Sequence, residues 1–223
     1  MAKDSASRQL QQLRQLIAQR AASMMAEEGI SDYAFAKKKA GRQLGVLDVN
    51  CLPSNAEVEE EIKLYNEIYH GEEQPENLRR LRAAALEIML LLERFNPHLT
   101  GPVLDGTAGR YAETHIFLFA DSLKEVEIFL LNRQLSYEVS EKAYRVSNDK
   151  RIADKKGHER KKVPALTFEG PHGPVKLSVF DVDDLRTATK HSGNGGNAAK
   201  VNIAGLQALL LAEASGAALP PLF

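Results

Sequence analysis

A short stretch near the middle of the chain, GTAGRYAETHIFLFAD, carries residue types that bind phosphate groups. It opens with Gly106 and Thr107, and small residues in a turn that starts a helix leave backbone N–H groups free for an anion. The Thr107 hydroxyl could donate one further hydrogen bond, and the Arg110 guanidinium could reach a phosphate. The same residues are also typical of an ordinary tight turn with an exposed arginine, so both interpretations stay open.

The second half of this stretch is predicted to be a β-strand. Because a strand alternates its faces, His115, Phe117 and Phe119 lie on one side, while Ile116 and Leu118 lie on the other. With Gly106, Thr107 and Arg110, the side chains of His115 and Phe117 complete a candidate nucleotide-binding site, because aromatic rings could stack a base beside the phosphate. The alternative is that these rings are buried in a core, because alternating aromatic residues are also typical of covered strands.

The hydrophobic period changes along the chain and predicts two domains. Residues 1–98 are predicted to form a helical domain, because apolar residues recur there at helical spacing. Ser54 and Glu57, for example, have the spacing of a capping box. Residues 99–223 are predicted to form an α+β domain, with β-type runs in GPVLDGT, THIFLFAD, SYEVSEKAYRVS and VPALTFEGPHGPVKLSVFD and a helix in SLKEVEIFLLNRQ. The expected fold is therefore α+β, with a mixed sheet and flanking helices.

The segment GPVLDGTAGRYAETHIFLFADSLKEVEIFLLN resembles the core motif of the nucleotidyltransferase superfamily, which has the DNA polymerase β-like fold. Gly106 and Thr107 correspond to the Gly-Ser turn of that family, THIFLF corresponds to its strand with two aspartates, and SLKEVEIFLLN corresponds to the helix that follows. The whole chain is similar to an uncharacterised proteobacterial group of nucleotidyltransferase-like proteins. The resemblance implies a nucleotidyltransferase-like sheet domain with a cleft shaped for a nucleotide.

The carboxylates with which that family holds two Mg²⁺ ions are missing from the matching positions. His115 and Phe117 stand where the two aspartates would be, and Lys176 and Ser178 occupy the strand expected to carry the third carboxylate. Mg²⁺ needs hard oxygen ligands, so we predict no metal site, no cofactor and binding of a nucleotide or RNA without catalysis. The alternatives are an active, Mg²⁺-dependent nucleotidyltransferase with relocated carboxylates, and a structural or partner-binding protein with a filled cleft. The relocated carboxylates would be Asp105, Glu113 and Asp121.

The overall composition argues against partners that need a large net charge. The chain has 223 residues, 29 basic and 30 acidic side chains and a formal net charge of -1, so it has no global attraction for nucleic acid or anionic membranes. A basic stretch, NDKRIADKKGHERKK, could still contact RNA phosphates locally. The single cysteine, Cys51, and the polar N-terminus predict a cytoplasmic protein, and AAALEIMLLLERF is too short to span a membrane. The oligomeric state stays open.

Overall fold

The computed structural model shows an α+β protein in which helices precede a mixed sheet, which confirms the fold class predicted from the sequence. The described residues are 2–30, 32–46, 48, 51–71, 73–109, 112–146, 159–186, 189–190 and 199–215. The chain divides into two compact units, of which the first takes Met1–Glu76 and Thr107–Ala112 and the second takes Asn77–Gly106 and Glu113–Phe223. The domain boundary at residue 98 stays a prediction.

In the described part of the first unit, three helices pack together: α1 (Ala2–Glu27), α2 (Tyr33–Gln43) and α3 (Asn55–His70). Their apolar residues recur three or four positions apart, so each helix buries one stripe. The core consists of Ile17, Ala18, Ala21, Ala22, Met24, Ala36, Ala40, Val58 and Ile62. Helix α1 ends just before Gly29, whose φ of 69° is a left-handed conformation that glycine adopts without strain.

Helix α3 begins with the capping box that its sequence predicts. Ser54 Oγ accepts a hydrogen bond from the Glu57 N–H at 3.2 Å, and Glu57 Oε2 accepts one from the Ser54 N–H at 2.6 Å. Arg14 Nη2 also donates to Glu57 Oε2, at 2.8 Å. Burial raises the pKa of Glu57, but the hydrogen bonds from Arg14 and Ser54 outweigh burial and lower the pKa to about 2.

Replacing Ser54 by alanine should lower the free energy of unfolding by about 1 kcal/mol, because the N–H of Glu57 then loses its partner. Ser54→Asp keeps an accepting oxygen and serves as the control, so its loss should be smaller. Because folding depresses the pKa of Glu57, its contribution is present above pH 4.5 and is lost as the pH falls towards 2. Urea unfolding at several pH values measures both effects, and equal losses in the two variants would contradict the capping role.

The described residues of the second unit form one mixed sheet. Its strands are β1 (His98–Thr100), β2 (Thr114–Phe119), β3 (Glu138–Val146), β4 (Glu159–Gly170), β5 (Gly173–Phe180), β6 (Thr189–Lys190) and β7 (Lys200–Val201). They form a seven-stranded sheet in the order β6-β3-β4-β5-β2-β1-β7. Strands β2 and β5 run parallel, and the other described neighbours run antiparallel. The β4–β5 hairpin turns at GPHGP, as the sequence predicts.

The helices that accompany the sheet are α4 (Glu73–Leu91), α5 (Pro102–Asp105), α6 (Leu123–Asn132) and α7 (Ile203–Ser215). One face of the sheet is fully buried at Ile116, Leu118 and Leu177. Helix α4 reaches the sheet at Gly170, where an added Cβ atom would lie 3.9 Å from Ile88 Cδ1. No helix in the described part of the chain combines the length and apolar composition needed to cross a membrane.

Two predictions about the chain around Gly106 are wrong. The run GPVLDGT was expected to be β-type, but it contains the single turn of α5, because Gly101 adopts a φ of 74° and Pro102 takes the first helical position. The turn at Gly106 and Thr107 was expected to open a helix, but Gly106, with a φ of 80°, ends α5. A helix this short leaves no hydrophobic period, so the sequence pattern could not distinguish it from a strand.

Candidate functional site

The predicted phosphate-binding turn offers fewer free donors than its sequence indicates. The N–H of Gly106 donates to a carbonyl group of α5, so it is not free for a ligand. Thr107 is only 7% exposed and belongs to the first unit, whereas Gly106, His115 and Phe117 belong to the second. Arg110 lies outside the described residues. The assignment of these five residues to nucleotide binding stays a prediction.

The three carboxylates considered as relocated metal ligands have different surroundings. Asp105 is the last residue of α5, and Asp121 is exposed just after β2. Glu113 accepts hydrogen bonds from His115 and Lys176. Within the described residues, no group of three or more His, Cys, Asp or Glu side chains could hold a metal ion. Glu113 thus lies in a cluster of ionisable groups with His115 and Lys176.

Side chains of the second unit cover the aromatic face of β2. Phe117 is 3% exposed, and its ring packs edge-on against Tyr144 and Phe180 at centroid distances of 5.3 and 4.8 Å. Phe119 is 5% exposed and stacks on Phe180 at 5.8 Å. A nucleotide base could stack on these rings only after another aromatic side chain moved away. The face is thus built as an aromatic core.

The same sheet face becomes polar where β2 begins. We define the polar cluster as Glu113, His115, Lys142 and Lys176. His115 Nε2 lies 3.0 Å from Glu113 Oε2, and Lys176 Nζ donates to the same oxygen at 3.2 Å. The parallel register of β2 and β5 sets His115 beside Lys176, which is why both side chains reach one carboxylate. The side chains of His115, Lys176 and Glu113 are 19%, 22% and 29% exposed, so the cluster is partly open to solvent.

The pKa values of Glu113 and His115 are both lowered, but for different reasons. The hydrogen bond from His115 and the positive charge of Lys176 together outweigh burial and lower the pKa of Glu113 to about 2. Burial lowers the pKa of His115, although its bond to Glu113 acts in the other direction. Near neutral pH an ionised Glu113 therefore accepts a hydrogen bond from Nε2 of a neutral His115. Gly101 packs against the other ring nitrogen, since a Cβ atom there would lie 3.1 Å from His115 Nδ1.

Strand β3 adds two residues that the sequence analysis did not single out. Lys142 pairs with Val163 of β4, and its ammonium group lies 5.5 Å from the centre of the Tyr144 ring. The hydroxyl groups of Tyr144 and Ser178 are 2.7 Å apart. Burial raises the pKa of Tyr144 to about 12, so this hydroxyl keeps its proton near neutral pH. The alternation in SYEVSEKAYRVS places Lys142 and Tyr144 on one face of β3. Only the strand order, in which β4 separates β3 from β5, brings Tyr144 within reach of Ser178.

The basic stretch that was predicted to contact RNA lies largely outside the described residues. At its C-terminal end, Lys161 donates to Asp181 and Asp184 at 2.7 and 2.5 Å. Lys162 lies 3.5 Å from Glu141. Lys161 and Lys162 at this end of the stretch are therefore both paired with carboxylates.

No family model, curated protein or solved structure matches this chain significantly. The resemblance to the nucleotidyltransferase superfamily therefore stays a prediction. What the site can bind is inferred from the charges and hydrogen bonds of its own side chains. In the polar cluster, His115 and Lys176 bond to a single carboxylate, and Lys142 is a second lysine that feels its charge. Such an excess of positive groups on a partly exposed face attracts anions.

Proposed function

We propose that the second unit binds a phosphate group of a nucleotide or of RNA at the polar cluster, and that it does so in the cytoplasm without catalysis. The observation that carries this proposal is the convergence of His115 and Lys176 on one carboxylate oxygen. The Lys176 ammonium has three protons, and Glu113 is its one described acceptor. The remaining protons can therefore form charge-assisted hydrogen bonds with phosphate oxygens.

The positions of these donors fit binding without a metal. By the resemblance to the nucleotidyltransferase superfamily, His115 and Lys176 lie on the two strands that would carry metal-binding carboxylates. A Mg²⁺ ion at such a site bridges protein carboxylates and phosphate oxygens, whereas a lysine contacts the phosphate directly. We therefore expect binding that persists when Mg²⁺ is removed by a chelator.

The covered aromatic face favours a second candidate, a structural or partner-binding protein whose cleft is filled. Phe117, Phe119, Val163 and Phe180 form one buried cluster in the middle of this face. In that case the hydrogen bonds of Glu113 would serve only to hold the ends of β2 and β5. The two candidates differ in one measurable property, which is whether the protein binds an anionic ligand at all.

Replacing Lys176 by alanine should weaken the binding of ATP or single-stranded RNA by about tenfold or more, because a hydrogen bond to a charged group contributes about 1.5–3 kcal/mol. Calorimetric titration in EDTA at fixed ionic strength measures the dissociation constant. The ionic strength has to be fixed because phosphate contacts weaken steeply with salt.

Lys162→Ala is the matched control for this experiment. The Lys162 side chain is 77% exposed, and its pairing with Ala143 places it on the opposite face of the sheet. Its loss should leave the affinity nearly unchanged. Equal losses in the two variants would indicate non-specific attraction. Absence of binding by the parent protein at millimolar ligand would overturn the proposal in favour of the structural candidate.

A further inference from the structure

Two exposed arginines of the second unit lie against the half-buried ring of Phe129. The guanidinium carbon of Arg133, at the end of α6, lies 5.2 Å from the centre of this ring, and that of Arg94 lies 5.9 Å from it. Arg94 also lies 5.1 Å from the centre of the Phe95 ring. Phe95 is 2% exposed and packs edge-on against Phe129, so it anchors the arrangement in the core. We define Arg94, Phe95, Phe129 and Arg133 as the arginine site.

Contact with a ring leaves the hydrogen-bond donors of an arginine free. A guanidinium meets an aromatic ring with its flat face, whereas its five N–H groups point outwards in its own plane. Among the described residues, neither Arg94 nor Arg133 forms a side-chain hydrogen bond or an ion pair. The carboxylates of Glu93, Glu125 and Glu127 are close to the site in sequence, and none of them pairs with either arginine. The site therefore presents two positive charges with unused donors.

The backbone fixes the positions from which both arginines extend. In the described part of the chain, the non-glycine residues with a positive φ are Asn96, at 48°, and Gln134, at 58°. They lie two residues after Arg94 and one residue after Arg133. This left-handed conformation is uncommon for residues other than glycine, and at Gln134 it is held by a hydrogen bond from its N–H to the carbonyl group of Leu131 at 2.9 Å. Two tight turns thus carry the two arginines.

We propose that the arginine site binds a phosphate monoester in its doubly charged form, with Arg94 and Arg133 both donating to its oxygens. Two guanidinium groups beside one ring repel each other, and a dianion that contacts both removes this repulsion. The N–H groups of an arginine match phosphate oxygens in pairs, and such charge-assisted hydrogen bonds are stronger than those of a neutral donor. A monocarboxylate has a single charge and two oxygens, so it satisfies one arginine only.

This inference goes beyond the proposed function, because it concerns other residues on other elements. The polar cluster involves β2, β3 and β5, whereas the arginine site is formed by the turn after α4 and by the end of α6. A phosphate monoester has two sources, which are a free nucleoside monophosphate and a phosphorylated side chain of a peptide. Both present the same terminal oxygens, and both are doubly charged above a second pKa of about 6.

Nuclear magnetic resonance of the isotope-labelled full chain tests the proposal through the arginine Nε–H signals. Inorganic phosphate, adenosine monophosphate and a neutral peptide with one phosphoserine are titrated separately, at slightly alkaline pH and fixed ionic strength. The signals of Arg94 and Arg133 should shift together until they saturate. Arg94→Lys and Arg133→Lys keep the positive charge but lose the paired hydrogen bonds, so each should weaken binding by about tenfold.

Arg80→Lys is the matched control, because Arg80 is exposed on α4 and its hydrogen bond to Asn77 is local. Its affinity for each probe should equal that of the parent protein. Thermal unfolding of the three variants shows whether each is folded. Equal weakening in Arg80→Lys, or an unchanged affinity in both Arg94→Lys and Arg133→Lys, would overturn the proposal. So would the absence of saturable shifts with all three probes.

Lys176→Ala distinguishes failure of this proposal from failure of the proposed function. If the arginine site binds phosphate by itself, the Arg94 and Arg133 signals shift with the same affinity in this variant. Loss of those shifts in Lys176→Ala would place the phosphate at the polar cluster and reject the arginine site. Saturation at the arginine site without any shift of the His115 ring signals would support this proposal and reject the other. Tighter binding of the phosphopeptide than of adenosine monophosphate would identify a phosphorylated protein as the source, and the reverse order a free nucleotide.

Discussion

Alanine in place of Phe117 should lower the free energy of unfolding by roughly 3–5 kcal/mol, the usual loss when a buried phenylalanine is removed from a core. The ring is 3% exposed and packs edge-on against Tyr144 and Phe180, in a cluster that also contains Phe119 and Val163. Its removal leaves a cavity, because the paired strands on either side cannot close around it. Denaturant unfolding followed by circular dichroism measures the loss.

Phe35→Ala is the control, because Phe35 is 55% exposed on α2 and its loss should change stability by no more than about 0.5 kcal/mol. The affinity of folded Phe117→Ala for ATP and RNA is the second measurement. A large loss of stability without a loss of affinity is expected for a core residue. A loss of affinity without a loss of stability would contradict the core assignment and favour the base-stacking role considered from the sequence.

Methionine in place of Arg82 should also lower the free energy of unfolding by about 3–5 kcal/mol, because it leaves the part-buried carboxylate of Glu213 without its partner. Arg82 is 3% exposed, and its Nη1 atom pairs with Glu213 of α7. Its Nε and Nη2 atoms donate to the carbonyl groups of Val103 and Leu104 in α5, at 2.9 and 2.7 Å. One guanidinium thus connects α4, α5 and α7, and thermal unfolding of the variant measures its contribution.

Two further variants test this account of Arg82. Arg80→Ala removes an exposed arginine of the same helix, whose hydrogen bond to Asn77 is local, and should have little effect. Glu213→Leu added to Arg82→Met removes both charges and should restore part of the lost stability, because apolar residues often replace a buried ion pair without loss. If Arg82→Met alone were as stable as the parent protein, the proposed bridge would not hold the unit together.

Much of the local structure could be predicted from the sequence, because it depends on residues a few positions apart. Asp32 caps α2 by accepting hydrogen bonds from the N–H groups of Ala34 and Phe35, and Ser54 and Glu57 cap α3 reciprocally. The alternation of apolar residues likewise predicted the strands that form the hairpin of β4 and β5. Each of these signals acts within one turn or one strand pair, where propensity and hydrogen bonding agree.

The turn at Gly106 marks the limit of such local reasoning. A glycine can open an anion-binding turn at the start of a helix, and it can also end a helix in the left-handed conformation. The sequence around Gly106 and Thr107 is compatible with both. In the structure Gly106 ends a helix, because the chain forms α5 between β1 and β2 and Gly106 closes it in the left-handed conformation.

The tertiary structure alone decided which distant side chains meet. Lys176 and Glu113 are 63 residues apart in the chain, and the parallel pairing of β2 and β5 brings them within 3.2 Å. Strand alternation shows which residues share a face, but the order of strands depends on long-range packing that no local pattern encodes. For the same reason the sequence left open whether the Phe117 face is exposed. The fold covers it, because strand order places Tyr144 and Phe180 against the ring.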